Sequence, residues 1–155
     1  MTHEDREQAI SALYEELDVD RTRMPRDFML RWDDVRDMAR RGIEFGSHTV
    51  THPILSRESR ERVTEELVES KRAIERELKR PIASLAYPNG TRADYTAEAI
   101  VAARAAGYQC ALTTVFGPNE PGDDPFQWRR GTPWERDRSL FSLKLALYRA
   151  LEVSA

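Results

Sequence analysis

The 155 residues fit one domain, taken as residues 1–155, and leave little room for a second. With 40% hydrophobic residues, 33% charged residues and a net charge of -3, the chain has an ordinary globular composition. It gives no reason to expect nucleic acid or an acidic membrane as partner. No apolar run approaches the roughly 20 residues that span a bilayer, and one cysteine, Cys110, excludes an internal disulfide.

The N-terminus, MTHEDREQAI, lacks the charged and then apolar blocks of a signal peptide, so the chain as it stands is expected in the cytoplasm. A first helix is expected from Glu4 to Leu17, capped by Thr2, with Ile10, Leu13 and Leu17 on its apolar face. A polar connection, Asp18 to Arg26, leads to a second helix over Trp32 to Arg41. Trp32, Val35, Met38 and Ala39 face inward there, and Gly42 ends it. Residues 1–30 thus form a helical lead-in to the more patterned region 31–151.

Ile43 to Ser47 forms a short strand that runs straight into His48. The clearest helix spans Arg57 to Lys79, capped by Ser56. Val63, Leu67, Ile74 and Leu78 mark its buried stripe, with Arg62–Glu66 and Glu75–Lys79 as exposed i,i+4 pairs. After Pro81 come a strand, Ile82 to Ala86, and the turn Tyr87-Pro88-Asn89-Gly90. A helix over Ala97 to Ala106, capped by Thr96, precedes a strand from Tyr108 to Thr114. Cys110 sits in that apolar run and reads as a packed thiol. An irregular loop, Phe116 to Pro125, a short strand, Phe126 to Arg130, and a closing helix with Leu140, Leu143, Leu147 and Leu151 aligned complete the chain.

Strands alternating with helical crossovers predict an α/β fold with parallel pairing. A closed β/α barrel takes about 200–250 residues, so the pattern predicts a partial, incomplete β/α barrel.

Two of the three histidines lie in Ser47-His48-Thr49-Val50-Thr51-His52-Pro53. Neutral imidazole is a favoured zinc ligand, and Gly46 and Pro53 place the pair on a loop at a strand's C-terminal end, where barrel active sites gather. No Glu follows His48, which excludes the helical zinc-protease motif. The string S-H-T-x-T-H-P resembles the second motif of the polysaccharide deacetylase (NodB-like, carbohydrate esterase) family. Leu85-Ala86-Tyr87-Pro88-Asn89-Gly90, one long helix further on, resembles its third.

The resemblance implies that His48 and His52 bind a divalent metal, usually zinc. It further implies that the Asn89 N–H serves as a backbone oxyanion donor, with Tyr87 and Pro88 beside the substrate. The family's arginine position falls on Ala86. The reaction it implies is metal-dependent hydrolysis of N-acetyl groups on a sugar polymer, so a carbohydrate polymer is the expected partner. Trp32-Asp33-Asp34-Val35 is similar to the helix that precedes the histidine motif, its acidic pair favouring the helix dipole. Trp128, Arg129, Arg130 and Trp134 have side chains that suit a sugar groove, but they read first as packing tryptophans and solvated arginines.

The family's threonine-phenylalanine-aspartate-aspartate-glycine motif, source of the catalytic base and the third metal ligand, occurs nowhere in the chain, and no histidine follows His52. The expectation is therefore an inactive or incomplete deacetylase whose zinc is weakly held by two ligands, the N-terminal half of the domain being the missing partner. The alternative is a non-catalytic carbohydrate-binding or scaffold relative.

Overall fold

The computed structural model describes residues 3–20, 29–131 and 137–151, so the expected Thr2 cap and Trp134 lie outside the described residues. Five helices and two strands follow in the order α1 (His3–Glu16), α2 (Trp32–Arg40), α3 (Arg60–Leu78), β1 (Ser84–Ala86), α4 (Ala97–Ala105), β2 (Cys110–Leu112) and α5 (Arg138–Leu151). Single 3-10 turns at Leu55–Arg57 and Pro125–Gln127 interrupt the loops. The architecture is α/β.

Strands β1 and β2 pair in parallel, with Leu85 opposite Ala111. Isolated parallel bridges extend the sheet on both sides, Ser47 to Leu85 and Leu112 to Trp128. Four segments thus lie side by side in chain order, all running the same way. The outer two are single bridges where strands were expected over Ile43–Ser47 and Phe126–Arg130. An edge segment has one neighbour instead of two, so fewer pairings hold it extended. The bridge at Trp128 follows a 3-10 turn, which consumes the residues that would have continued the ladder.

Leu85 and Ala111 are fully buried, while Ser84, Ala86, Cys110 and Leu112 on the opposite face stay half-exposed. The core therefore lies on one side of the sheet, where Val63 and Leu67 of α3 and Ala99 and Ala103 of α4 pack against Leu85 and Tyr87. Alanines on α4 let its backbone approach α3 closely.

Helix α2 starts as its sequence suggests. The Asp34 carboxylate accepts from the Arg31 N–H at 3.0 Å, and Asp33 pairs with Arg36, which also reaches Glu77 on α3. Val35 is buried, Met38 and Ala39 are half-buried, and Trp32 is exposed rather than inward. Helix α3 is capped by Ser59 instead of Ser56: the Ser59 hydroxyl accepts from the Arg62 N–H at 3.2 Å, whereas the Ser56 hydroxyl donates to the Ala93 carbonyl. Lys79 closes α3 in a left-handed conformation, φ 54. Glu75 consequently pairs with Lys71 at 2.8 Å and accepts from the Ile82 N–H, and makes no pair with Lys79.

Ile10, Leu13 and Leu17, aligned on the expected apolar face of the first helix, are exposed, as are Leu140, Leu143 and Leu147 on α5. Periodicity shows that a helix has an apolar face; it does not show what covers it.

Candidate functional site

The histidine loop hangs from the Ser47 bridge. The Ser47 N–H donates to the Ser84 carbonyl at 2.9 Å and the Ala86 N–H to the Ser47 carbonyl at 2.8 Å, which fixes His48 at the C-terminal tip of the sheet beside β1. Gly46 is needed for that approach, because a Cβ there would lie 2.4 Å from the Ser84 hydroxyl and 3.0 Å from its carbonyl oxygen.

Each polar residue of the string then has a task. The buried Ser47 hydroxyl bonds the Ser70 hydroxyl at 2.7 Å and accepts from the Thr49 N–H at 3.3 Å. Thr49 turns the chain with φ 68, and its hydroxyl oxygen accepts from the His52 N–H at 3.1 Å. His52 is also left-handed, φ 56. The Thr51 hydroxyl donates to Glu66 at 2.6 Å.

The two imidazoles pack edge to face, centroids 4.7 Å apart at 79°. His48 Nδ1 lies 2.7 Å from the Ala86 carbonyl oxygen. A carbonyl only accepts, so Nδ1 carries the proton, and in the neutral ring the lone pair that a metal needs is then on Nε2. Both rings are exposed at the loop surface. Their donor chemistry suits a divalent ion such as zinc as two of its ligands. Among the described residues no third His, Cys, Asp or Glu joins them.

Glu66 is the residue that sequence reasoning misplaced. Expected on a solvated face, it is 1% exposed. Its carboxylate accepts from the Val50 N–H at 2.6 Å, the Thr51 N–H at 2.9 Å, the Thr51 hydroxyl and the Arg62 guanidinium at 2.6 Å. The signal was available: Glu66 stands three residues after Val63 and four before Ser70, on the stripe that α3 buries.

Burial works against the Glu66 charge, but the hydrogen bonds from Thr51 and Val50 and the Arg62 charge outweigh it and hold its carboxyl below the ordinary value of 4.5. The folded-state value lies under the unfolded one, so this stabilisation is complete above about pH 4.5 and is lost as pH falls through the lower folded value. Melting temperature is expected to drop over that acid range, and Glu66→Gln to flatten the drop. An equally steep acid limb in the variant contradicts the assignment.

The second motif sits on the neighbouring strand tip. Tyr87 is fully buried: its ring stacks on Tyr95 at 4.3 Å, its N–H donates to the Leu112 carbonyl and its hydroxyl to the Phe126 carbonyl at 3.1 Å. Pro88 is buried as well. Asn89 is exposed with φ 56, its carbonyl accepting from the Thr114 hydroxyl at 2.7 Å. Its N–H meets no acceptor among the described residues. Gly90, φ 72, is held where a Cβ would meet the Thr114 nitrogen at 3.0 Å. The His48–Ala86 bond ties the two motifs together. The Arg129 and Arg130 side chains are spent on carbonyls, of Pro118 and Thr113 respectively.

A family model described as polysaccharide deacetylase matches residues 6–111. Solved structures similar to the chain include the Streptococcus pyogenes deacetylase PplD in complex with acetate, at 29% identity and TM-score 0.56 over 61% of this chain and 40% of that one. A polysaccharide deacetylase from Bacillus cereus is 26% identical, TM-score 0.58, over 68% of this chain and 33% of that one. The BpsB deacetylase domain from Bordetella bronchiseptica is 26% identical, TM-score 0.60, over 68% and 50%. The chain spans about half or less of the length of each. No curated protein sequence matches it.

Proposed function

Because the chain belongs to the polysaccharide deacetylase family, we propose that it is the histidine-bearing part of a domain that hydrolyses N-acetyl groups on a sugar polymer. Four parallel segments lying in chain order support a partial β/α barrel, closed in the complete domain by strands outside these residues. The single observation that carries the reading is the edge-to-face pair of imidazoles at the strand tip, with His48 Nε2 left as a donor by the Ala86 carbonyl.

In this reading His48 and His52 hold zinc or another divalent ion, which when bound supplies Lewis acidity and a water of lowered pKa. The free Asn89 N–H is a preset donor for the oxyanion of the tetrahedral intermediate, costing no reorganisation as charge develops. Pro88 and the buried Tyr87 hold that turn against β2 and present it to the acetyl group. The chain has no aspartate in a threonine-phenylalanine-aspartate-aspartate-glycine motif and no histidine after His52, so it supplies neither base nor general acid.

Zinc titration of the chain against a chromophoric chelator is expected to show one site, with Kd about micromolar or weaker for two protein ligands. Acetate release from N-acetylglucosamine oligomers with added zinc is expected at background. No zinc uptake at millimolar metal overturns the metal assignment, and turnover like that of a complete deacetylase overturns the division of labour.

A further inference from the structure

We infer that Glu66 is the positioning residue of this site: its buried carboxylate shapes the His48–His52 loop before any metal arrives. The inference rests on the metal reading above and adds the residue that prepares it.

Three residues separate the histidines, and Glu66 binds two of them. One carboxylate oxygen takes the consecutive N–H groups of Val50 and Thr51, at 2.6 and 2.9 Å; the other takes the Thr51 hydroxyl and the Arg62 guanidinium, each at 2.6 Å. All four partners donate. Only an acceptor-only group satisfies them together, and a carboxylate is one; a glutamine amide would aim its NH2 at one pair of donors. The loop it holds is not one that local preference provides, since Thr49 and His52 are both left-handed. Glu66 itself sits on a helix whose neighbouring Val63, Leu67 and Ser70 are buried, so the anchor is fixed by the core. Loop shape, and with it the 4.7 Å spacing of the rings, follows from that anchor.

The test uses the full chain. In the metal-free protein, proton NMR contacts between the two imidazoles report the ring pair directly; zinc competition reports affinity. Glu66→Gln is expected to abolish the ring contacts and weaken zinc by about 10- to 100-fold, the range for groups that orient metal ligands. Glu75→Gln is the control. It strips a carboxylate from the other end of α3, where Glu75 accepts from Ile82 and Lys71, and is expected to change stability while leaving ring contacts and zinc untouched. Retained contacts and affinity in Glu66→Gln overturn the inference, as does an equal loss in Glu75→Gln. A parent chain that shows the ring contacts yet takes up no zinc defeats the metal reading alone, and loss of those contacts in Glu66→Gln then still supports positioning. Should Glu66→Gln not fold, Thr51→Val removes one donor at near-constant shape. It is expected to weaken zinc by about 2- to 10-fold, the worth of one hydrogen bond, and parental affinity there overturns the inference.

Discussion

Tyr87→Ala is expected to cost about 3–5 kcal/mol of folding stability, the range for emptying a fully buried aromatic site. The ring is 0% exposed and lies nearly parallel to Tyr95, at 9°. Truncation removes that stack, worth about 0.5–1.5 kcal/mol beyond the area it buries, and orphans the Phe126 carbonyl that its hydroxyl satisfies. Domains of this size hold only about 5–15 kcal/mol in total, so the loss is a large share of the whole and should show as a clear fall in the denaturation midpoint. Urea denaturation checks the value, and a loss below about 1 kcal/mol contradicts the packing described. Tyr87→Phe separates the parts, because it keeps the ring and loses only the hydrogen bond, for about 1 kcal/mol. Burial pushes the Tyr87 phenol well above its ordinary value of 10.0, so it stays neutral in the folded chain, and as pH rises past about 10 the unfolded chain ionises first and stability falls.

Removing either imidazole is expected to reduce zinc affinity by more than about 100-fold, beyond the upper end of what outer-shell changes cost. In the proposed two-histidine site, each substitution leaves a single donor, which no longer chelates. The two variants should differ in stability. His48→Ala orphans the Ala86 carbonyl and costs about one hydrogen bond. His52→Gly relieves a left-handed residue, so it should be neutral or stabilising by about 1 kcal/mol while losing the metal just as fully. Parallel zinc titrations and thermal melts decide the matter. A variant with one histidine and parental affinity removes His48 or His52 from the ligand set.

Much of the helical structure was legible because its determinants are local. Thr96 caps α4 as its position suggests, its hydroxyl accepting from the Ala99 N–H at 3.2 Å, and Gly107 follows with φ 82. The two serines near the start of α3 were less easily told apart. Both are good caps, and the outcome turned on a remote contact of Ser56 with Ala93 that spacing does not encode. Strand lengths failed for a related reason. Ile43 and Phe45 have strand-forming side chains, yet a ladder needs consecutive residues to pair with a neighbour and only Ser47 does so here. The histidine string was legible as a candidate site because residue types with few other uses recur in it at fixed spacing. Its support was not, since an Arg62–Glu66 pair reads as solvated until the fold shows that Val50 and Thr51 turn their N–H groups onto the carboxylate.

Thr49, His52 and Asn89 all adopt backbone conformations in which glycine would be the more comfortable occupant. Each costs roughly 1–2 kcal/mol for an ordinary side chain, less for asparagine, so the two motif loops together surrender a noticeable share of a small domain's cohesion. A chain shaped for durability alone would relax at these three places. Heat-tolerant versions should therefore be sought elsewhere in the molecule, because the easiest gains in toughness lie where the imidazoles and the bare amide are displayed.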